Sequence, residues 1–174
     1  LGQHWLFDET SLNAMLSAGE VSEEDTILEV GPGLGTLTKK LCQKTKKVVA
    51  VELDDTLAAN LEQNLPNVSF PRRNDVPENL EIINQNILEF DTSTLPKNYK
   101  LIANIPYYLT SNLIRIMLES ANPPSVMVLL IQKEVAERIA ASPGNMSILA
   151  VATQFYGEAA LKELVPAALF TPCL

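Results

Sequence analysis

Histidine and cysteine are nearly missing from this chain of 174 residues, which has one His, at position 4, and two Cys, at 42 and 173. Neither cysteine has a CxxC partner, and one histidine cannot complete a ligand set, so no zinc or other metal site is expected. Two isolated cysteines fit a reducing, cytoplasmic setting. No apolar run approaches the roughly 18 residues that a membrane-spanning helix needs, and no secretory leader pattern is visible. Positive charge is also scarce: 13 Lys and Arg against 21 Asp and Glu give a net charge of -8. That balance argues against a strong, sequence-independent grip on nucleic acid.

What the chain does have is apolar residues, at 47%, with only 20% charged. That composition excludes disorder and suits one domain with a substantial core. Apolar runs alternate with amphipathic segments. Residues 26–30, 48–51, 80–83, 100–103 and 125–131 read as strands. Helices are expected over 36–44, after a cap at Asp54 or Asp55, after a cap at Thr110 or Ser111, and through Val135 to Ala140. Residues 148–155 and 161–165 read as a closing hairpin, and 66–77 as a surface loop. Strand–helix alternation of this kind predicts an α/β fold with a mainly parallel sheet covered on both faces.

The first strand runs into Glu29-Val30-Gly31-Pro32-Gly33-Leu34-Gly35. Glycines at a strand-to-helix junction let the backbone turn sharply and approach a ligand; a bare tight connection is the plainer alternative. The second strand ends in Glu52, placed to accept from both hydroxyls of a ribose. A dinucleotide fingerprint would read GxGxxG, but here Thr36 stands where its third glycine would be. Glu29, just before the loop, would repel a pyrophosphate and could help hold an ammonium group. The charge pattern therefore favours S-adenosylmethionine over a nicotinamide dinucleotide.

The fourth strand runs into Asn104-Ile105-Pro106-Tyr107-Tyr108. The exocyclic amine of adenine is a poor nucleophile because its lone pair is delocalised into the ring. Two acceptors, the Asn104 side-chain oxygen and the Ile105 carbonyl, could take its N–H bonds and aim the lone pair at a methyl donor. Pro106 stiffens the turn and restricts Ile105. Tyr107 or Tyr108 could stack on the base. The alternative is a strand-ending turn whose tyrosines pack on the core.

The segments LGQHWLFD (1–8), EVGPGLGTLT (29–38), VELD (51–54), ANIPYYLTS (103–111), QKEVAERI (132–139) and VPAALFTP (165–172) occur together and in this order. In this the chain resembles the ribosomal RNA adenine N6,N6-dimethyltransferases and their macrolide-resistance relatives. QKEVAERI and NIPYY are closer to the ribosome-maturation branch. The resemblance implies a class I S-adenosylmethionine-dependent methyltransferase domain over 1–174, Rossmann-like, with a mainly parallel seven-stranded sheet. A small helical domain would follow, outside this chain, and a basic segment would precede it. It further implies dimethylation of two adjacent adenosines of small-subunit ribosomal RNA within a pre-ribosomal particle, by a cytoplasmic monomer.

Carried over by motif, the cofactor contacts are His4, Leu6, Glu29, Gly31, Gly33, Gly35, Glu52, Asn86 and Asn104. Asn104, Ile105, Pro106 and Tyr107 would hold the acceptor base. The chain departs from the family pattern at three of these motif positions. His4 replaces an Asn, Trp5 a Phe, and Asn86 an Asp that accepts from the cofactor's adenine amine. Asn keeps one acceptor oxygen but adds two donors, so adenine recognition should survive and weaken. Lys39, Lys40, Lys44, Lys46 and Lys47 cluster; they read as a solvated face near a helix C-terminus before they read as an RNA patch. A non-catalytic assembly or transcription factor of the same fold and a nicotinamide-dependent oxidoreductase are the competing function classes.

Overall fold

The structure is a computed structural model that describes residues 5–65 and 77–171. His4, Cys173 and all but the last residue of the expected loop 66–77 lie outside the described residues. Five parallel strands form the sheet: β2 (Thr26–Val30), β3 (Lys47–Glu52), β4 (Leu80–Asn84), β5 (Lys100–Asn104) and β6 (Val126–Leu130), in the order β4-β3-β2-β5-β6. A separate two-residue strand, β1 (Trp5–Leu6), pairs antiparallel with β7 (Phe170–Thr171).

Side chains alternate across the strands, and each parity finds its own core. Ile27, Val48 and Ile102 pack against Leu12, Met15 and Leu16 of α1 (Glu9–Ala18) and Leu37 and Leu41 of α2 (Thr36–Cys42). Ala50 packs with Leu61 of α3 (Asp55–Asn64) and with Leu65. Leu28, Val49, Val51, Leu101 and Ala103 face the other way, onto Leu113 and Met117 of α4 (Thr110–Glu119) and onto Tyr99. Each fully buried Leu or Ile stabilises by about 1.5–3 kcal/mol, so the sheet is fixed from both faces.

Local signals decide the helix starts. Asp54, not Asp55, caps α3, accepting from the N–H groups of Thr56 and Leu57 at 2.9 and 3.0 Å. Neither Thr110 nor Ser111 caps α4. The chain enters that helix through a 3-10 turn over Tyr107–Leu109, and the buried Thr110 hydroxyl has no partner among the described residues.

The expected closing hairpin is not there. Residues 148–156 form helix α6 (Ile148–Tyr156), capped by the Ser147 hydroxyl, which accepts from Ala150 N–H at 3.2 Å. Residues 157–166 form no strand, so the sheet has five strands among the described residues rather than seven. Ile148, Val151 and Phe155 recur at i, i+3 and i+7, a helical period. Helix α5 (Lys133–Ile139) lies between β6 and α6 in the chain.

Candidate active site

The strand order reverses between β2 and β5, which are paired with Glu29 opposite Ile102. β2 leads to β3 and β4 on one side, and β5 to β6 on the other. In an open parallel sheet, the crevice beyond the carboxyl ends at such a reversal is where ligands bind. The two singled-out motifs, Gly31–Gly35 and Asn104–Tyr108, follow β2 and β5 directly and so flank this crevice.

Glu52 ends the neighbouring strand and is only 5% exposed. Its Oε2 accepts from Gly33 N–H at 3.1 Å and its Oε1 from Asp54 N–H at 3.0 Å. A carboxylate has about four lone-pair positions, so both oxygens can still accept from a diol. The end of β4 braces the same point: Asn84 Nδ2 donates to the Glu52 carbonyl at 3.1 Å, and Gln85 N–H does so at 2.9 Å. Asn84 escaped the sequence reading because nothing in an apolar strand pattern marks its last residue as a brace.

The three loop glycines have different reasons to be glycine, although all have positive φ. A Cβ at Gly35 would stand 2.6 Å from Leu61 Cδ1 and 3.3 Å from Leu65 Cδ2, so this position lets the loop settle on the α3 core. A Cβ at Gly33 would collide with the indole of Trp5. At Gly31 a Cβ would meet nothing within 4 Å. Of the three, only Gly31 faces open space, and there a ligand can approach the backbone.

Glu29 is 1% exposed, beneath the loop on the α1 and α2 side of the sheet. Burial pushes its carboxyl from 4.5 up to about 8. The nearby Thr38 pulls the other way and the charge of Glu52 adds to the rise. Glu29 Oε2 and Thr38 Oγ1 are both buried and, among the described residues, neither has a partner in hydrogen-bonding geometry. Close by, burial pushes the Cys42 thiol up to about 12, which leaves it inert.

Asn86 begins a 3-10 turn over Ile87–Glu89, where its Oδ1 accepts from Leu88 N–H at 3.1 Å and its Nδ2 donates to Glu89 Oε1 at 3.4 Å. Its single acceptor oxygen is therefore half used, with one lone pair left. Leu6 is buried in the core beside Phe170, so any ligand contact from Leu6 falls to its backbone.

Across the crevice, Asn104 is the last residue of β5, opposite Leu130 of β6. Ile105 is buried, and Pro106 has φ -58°. The following turn is closed by Leu109 N–H on the Pro106 carbonyl at 3.0 Å. Tyr107 and Tyr108 do not pack on the core: they are 60% and 65% exposed, edge to face with centroids 5.8 Å apart. Two of the clustered lysines pair with surface carboxylates instead of with the crevice motifs. Lys47 opens β3 at its amino end and pairs with Glu81 at 2.7 Å, and Lys40 pairs with Glu9 at 3.7 Å. No group of three His, Cys, Asp or Glu is poised to hold a metal ion, and no helix is long and apolar enough to cross a membrane, among the described residues.

Residues 1–173 match the family model described as ribosomal RNA adenine dimethylase. The chain belongs to the ribosomal RNA adenine dimethylase family. Among similar proteins, the ribosomal RNA small subunit methyltransferase A of Dehalococcoides mccartyi (strain 195) is 41% identical over 99% of this chain and 57% of its own length. The protein of that name from Latilactobacillus sakei is 38% identical, over 99% of this chain and 58% of its own. Among solved structures, a dimethyladenosine transferase from Plasmodium falciparum superposes with a TM-score of 0.83 at 26% identity, covering 98% of this chain and 59% of that one. The 23S rRNA methyltransferase ErmE gives 0.82 at 26% identity, covering 98% and 65%. The α/β fold with its mainly parallel sheet is thus that of this family. The chain spans a little under three fifths of the length of the curated relatives it matches.

Proposed function

We propose that this chain is the catalytic domain of an S-adenosylmethionine-dependent RNA adenine N6-methyltransferase. Its acceptors would be two adjacent adenosines of small-subunit ribosomal RNA, each dimethylated during ribosome maturation. The observation that carries this reading is the placement of Asn104 and the glycine loop at the carboxyl ends of two paired strands, facing one crevice. The donor set fits the cofactor. Gly31 leaves room beside the backbone, Glu52 retains capacity for a ribose diol, and a buried carboxyl oxygen of Glu29 lacks a partner among the described residues. Asn86, Asn104, His4 and the backbone at Leu6 complete the contacts, with Gly33 and Gly35 shaping the loop.

When bound, S-adenosylmethionine supplies an electrophilic methyl group on a sulfonium. The chain's own residues then have a positioning task. The Asn104 side-chain oxygen and the Ile105 carbonyl accept from the adenine amine and aim its lone pair. Pro106 holds that acceptor geometry, and Tyr107 stacks on a base drawn out of its helix or already single-stranded. No strong general base is needed, because the proton can leave after transfer. We place the protein in the cytoplasm as a monomer acting on a pre-ribosomal particle, with further RNA contacts made by segments outside this chain. A large-subunit, resistance-type acceptor is the second reading, supported by the equal superposition on ErmE. The 41% identity to a small-subunit enzyme weighs against it.

Asn104→Ala tests the proposal. Methyl incorporation into immature small subunits should fall on the order of 10²- to 10³-fold, the scale for removing one well-placed stabilising group, with the folded protein still binding S-adenosylhomocysteine. Full activity in the variant, or incorporation only into large-subunit RNA, would overturn it.

A further inference from the structure

Gly33 is the point where the protein touches its own glycine loop most closely. Trp5 lies over it: a Cβ built on Gly33 would overlap Cζ3 of the indole and stand 2.8 Å from Cη2 and 3.0 Å from Cε3. The ring therefore rests flush on the loop backbone. Trp5 is held there by a short strap. β1 pairs Trp5 with Thr171 and Leu6 with Phe170, and both Leu6 and Phe170 are buried in the core. On its other side, Gly33 gives its N–H to Glu52 Oε2 at 3.1 Å. The second oxygen of Glu52 is fixed independently by Asp54 N–H.

These contacts form one mechanical chain: strap, indole, Gly33 amide, Glu52 carboxylate. With Asp54 holding only one oxygen, the Gly33 amide determines how the carboxylate is rotated. The indole packed on Gly33 restricts how far that amide can move. We propose that Trp5 is a positioning residue for the cofactor's ribose, acting through Gly33 to orient Glu52. The inference rests on the cofactor reading above and deepens it. It also explains Gly33 in physical terms, since the close approach that requires glycine there is made by the indole. As the only tryptophan of the chain, Trp5 further provides a spectroscopic signal confined to this loop.

The test is calorimetric titration with S-adenosylhomocysteine and with its 2′-deoxy analogue, on the wild-type chain and on Trp5→Ala, Trp5→Phe, Gly33→Ala and the double variant Trp5→Ala/Gly33→Ala. Losing one hydrogen bond to a carboxylate corresponds to about a tenfold loss of affinity or more. Trp5→Ala should lose about tenfold toward S-adenosylhomocysteine and little toward the deoxy analogue, so discrimination between the two collapses. A merely structural role would lower both alike. Trp5→Phe should keep most of the affinity. Gly33→Ala should be the worst single variant. The double variant should bind better than Gly33→Ala alone, because the clash is gone. If Gly33→Ala does not fold, recovery of folding in the double variant reads the same coupling. The intrinsic fluorescence of wild type should shift on titration.

Effects of Trp5→Ala and Gly33→Ala that simply multiply, or equal losses toward both ligands, would overturn the positioning role while leaving the cofactor reading intact. A wild-type chain that binds neither ligand would overturn the cofactor reading itself, and the positioning role with it.

Discussion

Glu29, Glu52 and Gly33 lie inside the protein, while Tyr107 and Tyr108, on the facing strand end, stand 60% and 65% exposed. The donor half of the crevice is held largely by the protein's own contacts, with a buried oxygen of Glu29 left without a hydrogen-bond partner among the described residues. Glu52 accepts two backbone N–H bonds, Asn86 caps its turn, and two of the three glycines are filled by the protein's own side chains. The acceptor half leaves two aromatic faces in water, on a single 3-10 turn with no buried residue. Exposed aromatic rings side by side are costly for a surface and useful to a planar ligand. A small cofactor brings little binding area, so its pocket has to be rigid beforehand. A large RNA partner brings its own area and can complete a half-built site on arrival.

The sharpest way to break this comparison is within the glycine loop. Gly35→Ala places a methyl against Leu61 and Leu65 at φ +80°. Strain and overpacking together should cost about 2–4 kcal/mol, read as a lowered denaturation midpoint. Gly31→Ala meets open space and only the strain of φ +66°, about 1 kcal/mol. It should lose no more stability than that strain and should lose cofactor affinity. Equal stability losses in the two would show that the loop is uniform and that Gly31 does not face the ligand.

Glu29 gives the next largest effect. Its folded carboxyl is raised from 4.5 to about 8, so the neutral acid is the form the fold prefers. Stability from this group is full below pH 4.5, falls as pH climbs from there to about 8, and is flat above, because the unfolded chain binds fewer protons throughout that window. Glu29→Gln should flatten the profile and be more stable than wild type at pH 8–9 by a few kcal/mol, with little difference at pH 4. Parallel unfolding profiles for the two proteins would refute the buried, neutral carboxyl. An ammonium brought beside it would favour ionisation, so ligand binding near pH 7 should release a proton in wild type and none in the variant.

The acceptor half is tested by Tyr107→Ala and Tyr108→Ala. Neither ring is buried, so melting should not move. The tyrosine that stacks on the base should raise the KM for RNA by the equivalent of about 1–3 kcal/mol, with S-adenosylhomocysteine affinity unchanged. The other should be nearly silent. A drop in cofactor affinity in either variant would mean that the two halves are not separate.

Much of this arrangement was legible in the chain because it depends on local or periodic signals. Apolar runs marked β2 to β6, and the order of motifs marked both sides of the crevice. What stayed hidden depends on distance. β1 is two residues long, too short for any period to show, and its partner β7 lies over 160 residues away. The contact of Trp5 with Gly33 exists only once that pairing is made. Helix α6 replaces an expected strand, and its signals are local ones: Ser147 as cap and the i, i+3, i+7 spacing of Ile148, Val151 and Phe155. A hydroxyl before an apolar run also misled at Thr110, where the preceding 3-10 turn supplies the helix start instead.

The smallest expected effect is at Asn86, and it asks whether an Asp at this position would serve the cofactor better. Asn86 Oδ1 is engaged by Leu88 N–H, and Nδ2 donates to Glu89 Oε1 at 3.4 Å. Asn86→Asp would keep the cap, since either carboxylate oxygen can accept from Leu88 N–H. It would free the second oxygen to accept from an adenine amine, and it would lose the donor toward Glu89, setting two carboxylates side by side. A new hydrogen bond to a charged acceptor contributes about 1.5–3 kcal/mol, and the exposed pair of like charges takes back part of it. The net should be a gain in S-adenosylhomocysteine affinity of a few-fold, larger at high salt where the repulsion is screened. Unchanged or weaker binding at all salt concentrations would place the adenine elsewhere. It would also show that Asn86 serves only to turn the chain after β4.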